Sequence, residues 1–112
     1  MVSAAAPATG SKRLHDAEQK ALVDKAVAEF GRVDVLVNNA AGNFPVPAED
    51  MSPNAWRTVT DIVLNGTFFC SREFGRRHIA AEVPGSIINI GAAYAWTGGP
   101  GFAHSSAAKA GV

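Results

Sequence analysis

A β-branched run, Val33-Asp34-Val35-Leu36-Val37, breaks off abruptly at Asn38-Asn39-Ala40-Ala41-Gly42-Asn43, a cluster of amides and small residues. Apolar character on both faces is the mark of a parallel strand, which is covered on both sides by helices. A polar, small-residue loop at the carboxyl end of such a strand lies where open parallel sheets bind their ligands. The bland reading of the same cluster is a tight turn. The run therefore asks for an α/β arrangement around it.

The flanking sequence supplies that alternation. Apolar residues at Ala17, Ala21, Leu22, Ala26 and Phe30 predict a helix over 15–30, with Lys20, Lys25 and Glu29 on its wet side and Gly31 at the left-handed C-cap position. Pro45, Pro47 and Pro53 keep the next stretch extended, and Ser52-Pro53 reads as an N-cap followed by proline in the first turn. A long helix over 53–79 follows, with Trp56, Val59, Val63, Gly66 and Cys70 along one stripe. Ile62, Leu64, Phe68, Phe69 and Phe74 add more apolar surface than one stripe needs, which suits a second protein surface. Pro84-Gly85 predicts a turn, 86–90 a second buried strand, 91–104 a Gly-rich loop, and 105–112 the start of another helix. Residues 1–14, rich in Ala and Ser, read as an unstructured tail. The expected architecture is α/β: part of a Rossmann-type, doubly wound parallel sheet, the central βαβα portion only, with two strands within 15–112.

Composition narrows the function classes. Ten Lys+Arg balance ten Asp+Glu for a formal net charge of +0, so no electrostatic case exists for a nucleic-acid partner. With 47% hydrophobic residues the chain is not built for disorder. The single Cys70 makes no internal disulfide, which suits a reducing compartment. No apolar run approaches the roughly 20 residues of a membrane span, and the first residues lack the basic and apolar regions of a signal peptide. The expectation is a cytoplasmic protein with no membrane partner. His15, His78 and His104 fall at no ligand spacing, so no metal is expected.

The segment Asp-Val-Leu-Val-Asn-Asn-Ala-Ala-Gly over 34–42 resembles the centre of the short-chain dehydrogenase/reductase family, and the continuation through Asn43-Phe44-Pro45 to Trp56 is similar to its 2,4-dienoyl-CoA reductase branch. The resemblance covers roughly 15–112. Most members carry Tyr four residues before an active-site Lys and Ser thirteen residues before that Tyr. Here Ser105 stands four residues before Lys109, and Ala92 takes the usual serine place. The dienoyl-CoA branch moves the phenol to fifteen residues before the Lys and keeps Ser at four, which matches Tyr94, Ser105 and Lys109. Val63 stands where typical members place a structural Asn, again as in that branch.

What the resemblance implies is a fatty-acid β-oxidation oxidoreductase that takes NADPH and a fatty acyl-CoA with conjugated double bonds, giving a 3-enoyl-CoA. Lys109 would hold the cofactor ribose beside the phenol. Tyr94 and Asn43 would donate to the developing thioester oxyanion, with Ser105 sharing a helix face with Lys109. Asn38, Ala40 and Gly42 would contact the dinucleotide, and Phe44 and Ser52 the acyl-CoA. The helix over 53–79 would pair copies into a homo-oligomer. The family's Gly-rich phosphate turn has no counterpart, Thr9-Gly10-Ser11 holding one glycine, and Lys12 or Arg13 occupies the place of an adenine-contacting Asp. A truncated copy lacking both ends of the domain, with little or no turnover as isolated, is therefore expected. Two other readings are a non-catalytic module pairing with a full-length relative and a 3-oxoacyl reductase, the latter disfavoured by Ser105 at its Tyr position.

Overall fold

The structure, a computed structural model, describes residues 2–4 and 16–112. Its centre is a parallel sheet of three strands in the order β1 (Val2–Ala4), β2 (Val35–Asn38), β3 (Ser86–Asn89). In register, Val2, Ser3 and Ala4 pair with Leu36, Val37 and Asn38, and Val35 to Asn38 pair with Ser86 to Asn89. Two of these strands, β2 and β3, are the pair expected within 15–112, and β1 is a third. Val2–Ala4 falls inside the segment read as a tail; Met1 and residues 5–14, the rest of that segment, lie outside the described residues.

Helix α1 (Asp16–Phe30) ends as its sequence requires, at Gly31 with φ 83° and its N–H on the Val27 carbonyl. Its buried face is Gln19, Val23 and Ala26; Ala17, Ala21 and Phe30, placed on the apolar stripe from spacing, are exposed. Ser52 caps α2 (Pro53–Thr60), its Oγ accepting the Ala55 N–H at 3.0 Å. The helix then widens into a π segment (Asp61–Asn65) and continues as α3 (Gly66–Ala81). Val59, Val63 and Cys70 of the expected stripe are buried, while Trp56 is exposed.

Two apolar clusters hold these layers together. Ala26, Val33, Leu36, Cys70 and Phe74 join α1, β2 and α3, and Val59, Val63 and Ala108 join the long helix to α5 (Ala103–Gly111). Full burial of a side chain such as Leu36 is worth about 2 kcal/mol. The second interface is tight: a Cβ on Gly111 would stand 2.8 Å from Leu64 Cδ1. β3 departs from expectation, since all four of its residues are exposed. Its apolar run reads as buried on both faces, but within the described residues no helix covers it. The stretch expected as a loop after β3 contains a helical turn, α4 (Tyr94–Thr97), and α5 begins two residues earlier than expected.

Candidate active site

Both β2 and β3 deliver their carboxyl ends to one edge of the sheet, and the loops that follow are tied together. The Val46 N–H donates to the Gly101 carbonyl at 2.9 Å, and the rings of Phe44 and His104 meet edge to face with centroids 5.0 Å apart. Gly101, at φ 80°, passes 3.5 Å from Pro45 as gauged by an added Cβ, a turn that favours glycine.

Short α4 presents Tyr94 to α5. The Tyr94 Oη lies 3.0 Å from Ser105 Oγ, and its ring stacks near Phe102 with centroids 6.1 Å apart. Ser105 is buried, whereas Tyr94 is half-buried. One turn further along α5, Lys109 sends its Nζ to the Ile90 carbonyl at 2.6 Å, just past the end of β3. The helical i, i+4 spacing thus puts the hydroxyl and the ammonium on a shared face. Tyr94, Ser105 and Lys109 are brought together at the sheet edge.

The other sequence candidates divide. Asn43 and Phe44 are exposed at the lip of the β2 loop, with Phe44 against His104. Ala40 and Gly42 are half-buried in that loop, which runs close to the long helix: a Cβ on Gly42 would stand 3.2 Å from Ile62 Cδ1. Asn38 does not lie on the loop. It closes β2, is buried, and its Nδ2 donates to Asn89 Oδ1 at 2.8 Å and Ser71 Oγ at 3.0 Å. Its carbonyl accepts the Ile90 N–H, so its hydrogen bonds clamp the sheet just before the loop. Ser52 is engaged as the cap of α2. Residues missed from sequence are the Ile90 carbonyl that receives Lys109 and Phe102 beneath Tyr94; His104 had as its signal its place in the loop expected over 91–104. Among the described residues no cluster of His, Cys, Asp and Glu could hold a metal, and no helix is long and apolar enough to cross a membrane.

The short chain dehydrogenase family model matches residues 6–112, reaching further back than the resemblance over 15–112. The chain belongs to the short-chain dehydrogenase family. Its members are oxidoreductases that use NAD(P), and their fold is of Rossmann type. The chain is 53% identical over 97 residues to a probable 2,4-dienoyl-CoA reductase of Bacillus subtilis described as (2E)-enoyl-CoA-producing, covering 87% of this chain and 38% of that protein. It is 46% identical over 96 residues to the peroxisomal, (3E)-enoyl-CoA-producing 2,4-dienoyl-CoA reductase of Rattus norvegicus, covering 82% and 31%. A short chain dehydrogenase from Bacillus anthracis superposes with a TM-score of 0.84 at 48% identity, over 90% of this chain and 41% of the other; one from Mycobacterium smegmatis gives 0.86 at 31% identity, with the same coverage. This short-chain dehydrogenase sequence thus spans well under half the length of these relatives.

The residues present fit the nicotinamide and ribose end of a dinucleotide. Lys109 offers a flexible cation at the strand edge, and the small side chains over 39–42 leave the loop backbone approachable. Residues 5–15, Lys12 and Arg13 among them, lie outside the described residues.

Proposed function

We propose that the protein carrying this chain reduces 2,4-dienoyl-CoA thioesters with NADPH, within fatty-acid β-oxidation, giving a 3-enoyl-CoA. The observation that supports the reading is the 3.0 Å contact between Tyr94 Oη and Ser105 Oγ one helical turn from Lys109, the arrangement of the dienoyl-CoA branch rather than of a 3-oxoacyl reductase. What the cofactor supplies when bound is a hydride. Lys109 would hold the ribose hydroxyls, helped by Ala40 and Gly42 along the loop. Tyr94 and Asn43 would donate to the thioester oxygen as charge gathers there, with Ser105 orienting the phenol. Phe44 and Ser52 would contact the acyl-CoA. Hydride addition at the far carbon of the diene and a proton from water at the α carbon balance the reduction to a 3-enoyl product.

The test follows dienoyl absorbance and NADPH oxidation together. The reading expects loss of both, and a fall in kcat of about 100-fold in Tyr94→Phe, the scale of losing one oxyanion donor. An unchanged rate in Tyr94→Phe removes it. Chromatographic identification of the product separates the 3-enoyl from the 2-enoyl outcome, between which the bacterial and rat relatives' descriptions differ. Replacing NADPH by NADH decides the cofactor.

A second reading has its own observation. Phe68 and Ile79, on the long helix, are 58% and 79% exposed, an apolar face suited to pairing with a second copy or a full-length relative. Concentration-dependent association without any dienoyl turnover would favour pairing alone.

A further inference from the structure

We propose that His104 is a positioning residue that holds the Tyr94–Ser105 pair and the Asn43–Phe44 lip in one frame. The argument starts at the head of α5. The first N–H groups of a helix have no partner within it, and Phe102, at the N-cap, makes no side-chain hydrogen bond to them. The Ser106 N–H reaches the Phe102 carbonyl at 2.8 Å. The Ser105 N–H is instead taken by the imidazole of the preceding residue, His104 Nδ1, at 2.8 Å. His104 therefore fixes the backbone from which Ser105 sends its hydroxyl to Tyr94.

The ring's other contacts assign its form. With Nδ1 accepting, the neutral imidazole carries its hydrogen on Nε2. Nε2 is buried without a hydrogen-bond partner among the described residues, and the residue is 0% exposed. A buried donor left unpaired is destabilising, so Nε2 does not explain a histidine here, whereas Nδ1 does. The ring also receives Phe44 edge to face at 5.0 Å. Phe44 is the neighbour of Asn43, so the imidazole braces both sides of the crevice at once. What the braced groups do chemically rests on the reductase reading; the bracing does not.

Asparagine places an oxygen near the position of Nδ1 and glutamine places its amide near that of Nε2, so the two substitutions separate the nitrogens. Tyr94 is the single tyrosine of these 112 residues, so the tyrosine doublet in the Raman spectrum of this chain, with any tyrosine beyond it isotopically distinguished, is a site-specific report of its hydrogen bond. Nitrogen NMR of the unaltered protein should find His104 in the Nε2–H form. His104→Asn should keep the Tyr94 doublet and most of kcat while raising KM through the lost Phe44 contact. His104→Gln and His104→Leu should shift the doublet and lower kcat about tenfold. An Nδ1–H ring, or an unmoved doublet in folded His104→Gln, overturns the proposal. Should His104→Leu fail to fold, the tautomer and the Asn–Gln contrast decide. Doublet shifts in a protein without dienoyl turnover would remove the reductase reading and leave the positioning role; turnover with unmoved doublets would do the reverse.

Discussion

Asn38 and Asn89 face each other across the β2–β3 pair, and the Asn38 amide donates to Asn89 Oδ1 over 2.8 Å while its other hydrogen bond goes to Ser71 of α3. One side chain thus joins two strands and a helix. Asn38→Leu removes both bonds from a buried position and should cost about 2 kcal/mol, two hydrogen bonds at about 1 kcal/mol each. The urea midpoint should fall with an unchanged slope. An unaltered midpoint would show that the clamp adds nothing to stability.

Cys70 sits in the core with 2% exposure, and burial pushes its thiol above the ordinary cysteine range. Thiolate is the reactive form, so alkylation of the native protein should be slower than that of the urea-unfolded chain by more than about 100-fold. Comparable rates would mean that the α1–α3 core opens readily.

Asp24 joins α1 to α3 through Arg77, which also reaches Glu73 at 2.8 Å. The Arg77 guanidinium, with Lys20, holds the Asp24 carboxyl below its ordinary value of 3.8, and Arg77 is in turn pushed upward. A depressed carboxylate contributes stability above its unfolded pKa and loses it as pH falls through the folded one. The melting temperature of the unaltered protein should therefore exceed that of Asp24→Asn near neutral pH, and the gap should close below roughly pH 4. Salt should narrow the gap as well, since the pair is exposed. A gap that persists in acid would assign the effect to packing.

Ser52→Ala removes the cap of α2 and should lower stability by about 1 kcal/mol, whereas Ser52→Asp keeps an acceptor for the Ala55 N–H. If Ser52 also meets the acyl-CoA, Ser52→Ala raises KM beyond what its stability loss accounts for. Denaturation and steady-state kinetics on the same preparations separate the two roles.

What could be read in the sequence was what local chemistry decides. Gly31 at a C-cap, Ser52-Pro53 at a helix start and the β-branched run over 33–37 each act through neighbours a few residues away; the first two stand where expected, and the run forms its strand shifted to Val35–Asn38. Features decided by distant partners were not legible. Val2–Ala4 become a strand only by pairing with Leu36–Asn38, and three small residues carry no signal of that. The π segment over Asp61–Asn65 has no distinctive composition; it lies where Leu64 and Val63 meet α5. The run over 86–90 promised two covered faces, yet coverage depends on what surrounds a strand, not on its own residues. At the site, the spacing of Tyr94, Ser105 and Lys109 was visible, but the buried imidazole behind them was not, because burial is a property of the assembled loops.

The Val46–Gly101 hydrogen bond and the Phe44–His104 contact make the two crevice margins a single seam. Parting the margins would break both contacts together, so the lip and the head of α5 are stitched to each other rather than merely adjacent.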